Sequence, residues 1–386
     1  MTQISRIGID TSKAVFTLHG IDQAGHPVLR TNLRRAQMVP FFKKLPPTEI
    51  ALEACASSHH WARMLAALGH TVHLIPPQYV KPFVKRAKND RNDAEAICEA
   101  AGRPGMRFVP VKSTAQQAEG MVLKVRETLV GQRTQLVNAL RGHAAEFGLI
   151  APKGISRTTA LLAAIEAETA ISAAAREMLA LLGRQIEQLD TQLKALEAKI
   201  IAMHKANPVS RLLATIPGIG PIIALTLALE VDPTAFKSGR HLAAWLGLTP
   251  KEHSTGGKQR LGGISRAGNE RLRQLLVTGA TAVIRCAERP GSKLATDWLL
   301  KLLQRRPRKL AAVALANKMA RIAWAMMTST LSRSHCGVQP LQLDAGVGRG
   351  EVPVSFGVFL VAAVLPCGDF LGQGLFVGDA PIETLA

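Results

Sequence analysis

The N-terminal fold is decided by residues 5–20, SRIGIDTSKAVFTLHG. Two apolar runs, 5–10 and 14–20, flank a short polar segment, and this pattern predicts two strands joined by a tight turn. Strand and helix signals then alternate outward from this stretch, with strands at 27–31, 49–53 and 71–75 and helices at 36–44, 58–68 and 93–101. Three early strands followed by alternating helix and strand predict an α/β layered domain with a mixed sheet.

After about residue 113 the pattern becomes helical and rich in basic side chains. Within residues 113–147, Arg126, Arg133 and Arg141 are spaced by seven and eight positions and therefore share one helix face. We expect nucleic acid to bind this face.

A heptad pattern occupies residues 179–203. Its apolar side chains recur at intervals of three and four positions: Leu179, Leu182, Ile186, Leu189, Leu193, Leu196, Ile200 and Met203. Such a stripe predicts a coiled coil or an antiparallel helical hairpin; the alternative is one amphipathic helix packed on its own domain. Because the stripe is too regular for a solvent-facing helix, we expect it to join copies of the chain into a dimer or tetramer.

Residues 212–230, LLATIPGIGPIIALTLALE, predict two helices around a turn rich in Pro and Gly, which is typical of a helix-hairpin-helix. Gly218 and Gly220 would let backbone N–H groups approach a phosphate closely. The alternative is a simple turn between two packed helices. These transitions divide the chain into an α/β domain at 1–112, basic and heptad helices at 113–207, a helical domain at 208–334 and an atypical tail at 335–386.

The charge indicates a polyanionic partner. The chain carries 48 Lys and Arg against 28 Asp and Glu in 386 residues, a formal net charge of +20. Residues 1–336 carry +24 and the remaining tail −4. A basic body of this kind most often binds nucleic acid. Aromatic residues make up only 4% of the chain, which disfavours modules that stack bases on exposed rings.

Cysteine use and hydropathy indicate a cytoplasmic protein. The five cysteines are scattered without a CxxC pair, which argues against a disulfide framework and against a structural zinc site. The first ten residues lack the apolar region of a signal peptide. The uncharged run 352–368 is interrupted by prolines and is shorter than the roughly 20 residues of a membrane span. We therefore expect no membrane association.

Acidic residues are a minority, and four of them stand in informative positions. Asp10 and Glu53 each end an apolar strand, whereas Asp90 and Asp93 lie three apart, on one face if their segment is helical. These four carboxylates could hold two Mg²⁺ ions, which prefer oxygen ligands and stabilise the attacking and leaving oxygens of phosphodiester transfer. Taken singly, Asp10 could be a turn residue, and Asp90 or Asp93 a helix N-cap.

These motifs resemble the DEDD transposases, the family of the insertion-sequence 110 and 1111 groups and the Piv-type DNA invertases. The segments IGIDTSK, LEACASSHHWAR and KNDRNDAEA carry the four acids of that family. The segments LLATIPGIGPIIA, FKSGRHLAAWLGLTP and HSTGGKQRLGGISRAGNERLRQLL resemble its C-terminal domain. The resemblance spans about residues 4–330 with the motifs in order, and the tail does not share it.

The resemblance implies an RNase H-like, RuvC-type catalytic domain, a coiled-coil segment and a mainly helical C-terminal transposase domain. It implies an enzyme that cleaves and rejoins DNA to move an insertion sequence, guided by a structured non-coding RNA. It also implies a composite site, in which a serine of the C-terminal domain attacks the scissile phosphate with the help of metal-bound acids. Such a protein would act on DNA at the prokaryotic nucleoid.

The serine that best matches the family pattern is Ser254, shortly after the segment GLTP at 247–250. Ser265 and Thr255 are alternatives, and His253 could act as a base or contact a phosphate. The surrounding basic residues are expected to bind phosphates: Lys258, Arg260, Arg266, Arg271 and Arg273.

Two other functions fit the same residues. A metal-dependent nuclease that resolves DNA junctions would need the four acids and an activated water, but no serine chemistry. A basic, non-catalytic protein that binds RNA or DNA would need neither the acids nor the serine.

Overall fold

A computed structural model describes residues 3–85, 89–152, 154 and 157–335. The predicted tail at 335–386 lies outside the described residues except for its first residue. The chain divides into two compact units, residues 1–122 and the residues from 123 onward. The division into four segments stays a prediction.

The first unit is an α/β domain. Its strands are β1 (Arg6–Asp10), β2 (Val15–Ile21), β3 (Pro27–Arg34), β4 (Glu49–Glu53) and β5 (Thr71–Ile75). Its helices are α1 (Met38–Phe42), α2 (Ser58–Ala67), α3 (Pro77–Val80) and α4 (Asp90–Ala101), with 3₁₀ turns at Arg35–Gln37 and Lys81–Phe83.

The five strands form one mixed sheet in the order β3-β2-β1-β4-β5. The pairs β1–β2 and β2–β3 are antiparallel, whereas β1–β4 and β4–β5 are parallel. The tight turn between β1 and β2 is closed locally, because the backbone N–H of Val15 donates to Ser12 Oγ at 3.0 Å. The predicted α/β domain with a mixed sheet is confirmed, and strands β4 and β5 have the predicted bounds.

The central strand β1 is buried on both faces. Ile7 and Ile9 are fully buried in a cluster with Phe16, Trp61 and Leu65, which covers one face of the sheet. Side chains alternate along a strand, so the residue between the two isoleucines faces the opposite side. That residue is Gly8.

Helix α4 packs directly on β1 at Gly8. A Cβ atom on Gly8 would lie 2.3 Å from the Ala94 carbonyl oxygen and 2.7 Å from Cys98 Cβ, both distances far below contact. Burial in this contact raises the pKa of the Cys98 thiol to about 11, so the thiol stays neutral. The missing side chain therefore fixes how closely α4 approaches the sheet.

We expect Gly8→Ala to lower the free energy of unfolding of the first unit by about 1–3 kcal/mol, because the added methyl overpacks the contact with α4. Thermal unfolding followed by circular dichroism measures the effect. Gly120→Ala is the matched control, since a Cβ there meets no atom within 4 Å. Equal unfolding temperatures for the two variants would contradict the close contact.

The second unit is mainly helical. Its helices are α5 (Thr114–Ala145, which begins in the first unit), α6 (Thr158–Ala167), α7 (Ala173–Ala206), α8 (Pro208–Leu213), α9 (Pro221–Glu230), α10 (Gly239–Trp245), α11 (Glu270–Ala287), α12 (Asp297–Arg305) and α13 (Arg308–His335). A two-stranded antiparallel hairpin, β6 (Pro250–Glu252) and β7 (Leu261–Ile264), interrupts the helices. The sequence patterns did not predict this hairpin.

Half of the heptad stripe of α7 is buried within the chain. Leu179, Ile186, Leu193 and Ile200, which recur every seven residues, are each at most 3% exposed. Two ion pairs join α5 to α7: Arg126 to Glu197 at 2.7 Å and Arg133 to Asp190 at 2.6 Å. From the first pair to the second, the residue number increases on α5 and decreases on α7. The two helices therefore run antiparallel. The structure therefore shows the helical-hairpin alternative, and a coiled coil between chains stays a prediction.

Helix α13 contains a stretch, Arg308–Thr330, that is long and apolar enough to cross a membrane by length and composition. It packs against α10 and α11 in the described structure. Its buried residues belong to the core of the second unit: Ala311, Ala312, Ala316, Met319, Ala320, Ala323 and Met327. These contacts are those of a core helix.

Candidate functional site

The first two acids lie at the same edge of the sheet. Strands β1 and β4 are parallel neighbours, with Ile9 opposite Leu52. Asp10 and Glu53 are the next residues and end their strands. The carboxyl ends of parallel strands meet at one sheet edge, and this edge is where ligands bind in many α/β proteins.

The other two acids lie in the first turn of α4. The N-cap of this helix is Asn89, whose side chain accepts a hydrogen bond from the Asn92 N–H at 2.8 Å. The possibility that Asp90 or Asp93 is the N-cap is therefore wrong. Carboxylates in a first turn are stabilised by the helix dipole.

Three of the four acids converge. One carboxylate oxygen from each of Asp10, Asp90 and Asp93 lies within 4.8 Å of the other two. Asp10 and Asp93 are half-buried and Asp90 is exposed. Like charges this close raise each other's electrostatic energy, so a bound cation would stabilise them. An all-carboxylate donor set fits a hard cation such as Mg²⁺.

Glu53 does not belong to this three-carboxylate group in the structure. Glu53 ends β4, whereas Asp10 ends β1, the strand on which α4 packs. Neighbouring strands lie about 4.8 Å apart, so the backbone of Glu53 is one strand further from α4 than that of Asp10. Asp10 is the last residue of β1 and pairs with Thr17 of β2. Asp10 is therefore a strand residue and not a residue of the turn between β1 and β2.

The loops leaving β1 and β4 contact each other beside these acids. Thr11 Oγ1 and Cys55 Sγ are 3.1 Å apart. The Cys55 backbone is held in turn by Ser58, whose hydroxyl donates to the Cys55 carbonyl at 2.9 Å. Sequence reasoning missed Cys55 and Gly8, because a lone cysteine and a strand glycine gave no recognisable signal.

Ser254 lies just beyond β6, in the turn of the β6–β7 hairpin. Its hydroxyl donates to Glu252 Oε1 at 2.9 Å and accepts from the Arg260 N–H at 3.2 Å. The residue is exposed. A nucleophile hydrogen-bonded to a base is the usual arrangement of an activated serine.

The two alternatives to Ser254 lie in different settings. Thr255 pairs through its backbone with Lys258 in the tip of the hairpin turn. Ser265 is half-buried beyond β7, and its hydroxyl accepts from the Ala267 N–H at 3.4 Å. Within the described structure, neither hydroxyl is shown donating to a carboxylate.

The predicted phosphate-binding basic residues separate into two groups. Lys258, Arg260 and Arg266 are exposed on or next to the hairpin. The others are engaged within the protein: Arg126 and Arg133 in the ion pairs to α7, Arg141 with the Ala151 carbonyl at 3.0 Å, and Arg271 with Glu127 at 3.1 Å and Glu230 at 3.5 Å.

Arg273 is a structural residue. It is 7% exposed, and its Nη1 donates to the Leu246 carbonyl at 3.0 Å and to the Ala267 carbonyl at 2.8 Å. Its Nη1 is engaged by two backbone carbonyls, and the expectation that Arg273 binds phosphate stays a prediction.

The turn between α8 and α9 brings Gly218 close to α11. Gly218 has φ +86°, and a Cβ there would lie 2.7 Å from Val283 and 2.9 Å from the Gly279 carbonyl oxygen. The missing side chain therefore permits close packing on α11, and the approach of this turn to a phosphate stays a prediction. Gly220 is exposed, and a Cβ on it would meet no atom within 4 Å.

We expect Arg273→Ala to lower the free energy of unfolding by about 1–3 kcal/mol, because two carbonyls lose their donor. Arg260→Ala should instead leave stability unchanged and weaken DNA binding, reducing the slope of log affinity against log salt by about one. Thermal unfolding and salt-dependent binding assays measure the two effects. If Arg273→Ala kept full stability and lost DNA affinity, its assignment as structural would be wrong.

Comparisons with known proteins match both units. A DEDD transposase model of the IS110 type matches residues 7–147, and a model described as "Transposase IS116/IS110/IS902 family" matches residues 210–295. The chain is 55% identical over 328 residues to a Sinorhizobium fredii protein named as a transposase (y4pF/y4sB), with 85% of each chain covered.

Two further relatives carry names of insertion sequences. The transposase for insertion sequence element IS1111A of Coxiella burnetii is 40% identical over 331 residues, covering 85% of this chain and 91% of the relative. The transposase for IS1328 of Yersinia enterocolitica is 39% identical over 329 residues, covering 85% and 98%. The chain belongs to the IS116/IS110/IS902 family of transposases and is a DNA transposase.

Proposed function

We propose that this transposase cleaves and rejoins DNA with a Mg²⁺-binding acid cluster and a serine nucleophile. The observation that carries the proposal is the convergence of Asp10, Asp90 and Asp93 within 4.8 Å. The hydrogen-bonded hydroxyl of Ser254 supports the second part.

Asp10, Asp90 and Asp93 would hold Mg²⁺, with Glu53 as a fourth ligand from the neighbouring strand. Bound Mg²⁺ supplies charge neutralisation at the scissile phosphate and at the leaving oxygen. The carboxylates of Asp10 and Glu53 are placed by strands, and those of Asp90 and Asp93 by one helix turn. Four acids could hold two ions, as the mechanism with two metals requires.

Ser254 would attack the phosphorus and form a phosphoserine link to one DNA end. The exposed Lys258, Arg260 and Arg266 would bind phosphates on either side of the scissile bond. Rejoining follows when a released deoxyribose hydroxyl attacks the phosphoserine. The alternative, a nuclease that resolves junctions with activated water, forms no such link.

We expect Asp10→Asn to slow Mg²⁺-dependent strand cleavage by about 10²-fold or more, and Ser254→Ala to abolish the covalent protein–DNA adduct. Both are measured on duplexes that carry the element ends, in single-turnover assays read on denaturing gels. Asp297→Asn is a matched control, because Asp297 is exposed in the first turn of α12. Cleavage by Ser254→Ala without an adduct would favour the junction-resolving nuclease, and full cleavage by Asp10→Asn would refute the metal site.

Three further parts of the proposal concern fold, guide and location. The first unit would be RNase H-like, of the RuvC type. The sheet order β3-β2-β1-β4-β5 supports this fold, because it places β1 and β4, which end in Asp10 and Glu53, next to each other. A structured RNA guide is supported by the net charge of +20 together with the family membership. The enzyme would work in the cytoplasm, on the DNA of the nucleoid.

We also propose that α7 joins copies of the chain. Beside its buried row runs a second, half-buried row of apolar residues: Leu182, Leu189, Leu196 and Met203. The hairpin with α5 leaves this row half-buried. Packing it against the same row of a second chain would bury its remaining apolar surface.

We expect Leu189→Lys with Leu196→Lys to yield monomers, measured by light scattering. Gln185→Lys with Gln192→Lys is the control, because those positions have the same spacing on the exposed side of α7. An unchanged oligomer in the leucine double variant would refute an interface at this row.

A further inference from the structure

We propose that Glu252 is a catalytic residue, the general base that takes the proton from the Ser254 hydroxyl. This inference rests on the proposed function, since it needs Ser254 to be the nucleophile. Its ground is the hydrogen bond of 2.9 Å from Ser254 Oγ to Glu252 Oε1.

The hairpin places the two side chains on one face. Glu252 is the last residue of β6 and is paired with Leu261 of β7. Ser254 follows two positions later, and side chains at i and i+2 of an extended strand point the same way. The chain remains extended past Glu252, since the His253 N–H still donates to the Arg260 carbonyl at 2.8 Å.

The hydroxyl is oriented by a second bond. The backbone N–H of Arg260 donates to Ser254 Oγ at 3.2 Å, and the hydroxyl hydrogen points to Glu252. A hydroxyl oxygen has two lone pairs, so one remains for attack on phosphorus. Both bonds come from the hairpin itself, which holds the nucleophile in one orientation.

His253, the base considered from the sequence, lies on the other side. Its Cδ2 is 3.8 Å from the position of a Cβ on Gly262, across the hairpin. Because side chains alternate along a strand, Glu252 and Ser254 lie on one face and His253 on the other. A carboxylate within hydrogen-bond reach of the proton meets the geometric requirement for a general base.

Serine attack and rejoining each move one proton between Ser254 and Glu252. Ser254 Oγ forms the bond to phosphorus, its proton passes to the Glu252 carboxylate, and the bond from phosphorus to the leaving deoxyribose oxygen breaks. That oxygen takes a proton from solvent. In rejoining, a deoxyribose hydroxyl attacks the phosphoserine and loses its proton to solvent, and protonated Glu252 returns its proton to Ser254 Oγ.

The test compares Glu252→Gln, Glu252→Asp and Ser254→Ala for adduct formation in single turnover from pH 6 to 9. We expect Glu252→Gln to slow adduct formation by about 10²–10⁴-fold, as loss of a general base does. Its rate should rise with pH as hydroxide replaces the base, more steeply than that of the unmodified protein. Glu252→Asp keeps the carboxylate and should retain part of the rate.

The amide of Gln accepts a hydrogen bond as a carboxylate does, so a purely structural role predicts an unchanged rate and pH profile for Glu252→Gln. That result, with Ser254→Ala inactive, would overturn the role of Glu252 alone. An adduct that persists in Ser254→Ala would overturn the nucleophile and the inference together. Glu187→Gln on the exposed face of α7 is the control for removing one negative charge.

Discussion

The close contact of α4 with β1 at Gly8 is the constraint on which the acid cluster depends. Carbonyl and Cβ atoms of α4 occupy the space that a side chain on Gly8 would need. Asp10 lies two residues further along β1, and Asp90 and Asp93 lie four residues and one residue before Ala94 on α4. A helix held farther from the sheet would carry its first turn away from the strand end, and the three carboxylates would separate.

This placement brings like charges together, which costs electrostatic free energy. The first turn of α4 lies at the positive end of a helix dipole, which stabilises each carboxylate by about 0.3–1 kcal/mol. Three carboxylate oxygens within 4.8 Å of one another repel each other more strongly than that at low effective dielectric. A divalent cation bound among these carboxylates would offset the repulsion, because oxygen ligands suit such an ion.

The sequence predicted what depends on local periodicity. Strands 49–53 and 71–75 were predicted with their observed bounds, because each is a short apolar run between polar breaks. The hairpin of β6 and β7 was missed, since strands of three and four residues rich in Gly and Lys carry little strand signal. For the site, the sequence singled out Asp10, Asp90 and Asp93, which the structure brings together, whereas Ser254 rested on the family resemblance and stays a prediction. Gly8 was not predicted, because its role is set by a helix more than 80 residues away.

The basic residues show why composition alone could not locate the nucleic-acid surface. Spacing placed Arg126 and Arg133 on one face correctly, but that face is occupied by acids of α7. A guanidinium paired with a carboxylate contributes little net field, so these residues add to the charge count and not to phosphate attraction. Among the described residues, no ion pair is shown for the exposed Lys258 and Arg260 of the β6–β7 hairpin, which also carries the acid Glu252. A carboxylate on that hairpin weakens its attraction for DNA. Its position next to the serine hydroxyl instead fits the proposed proton transfer.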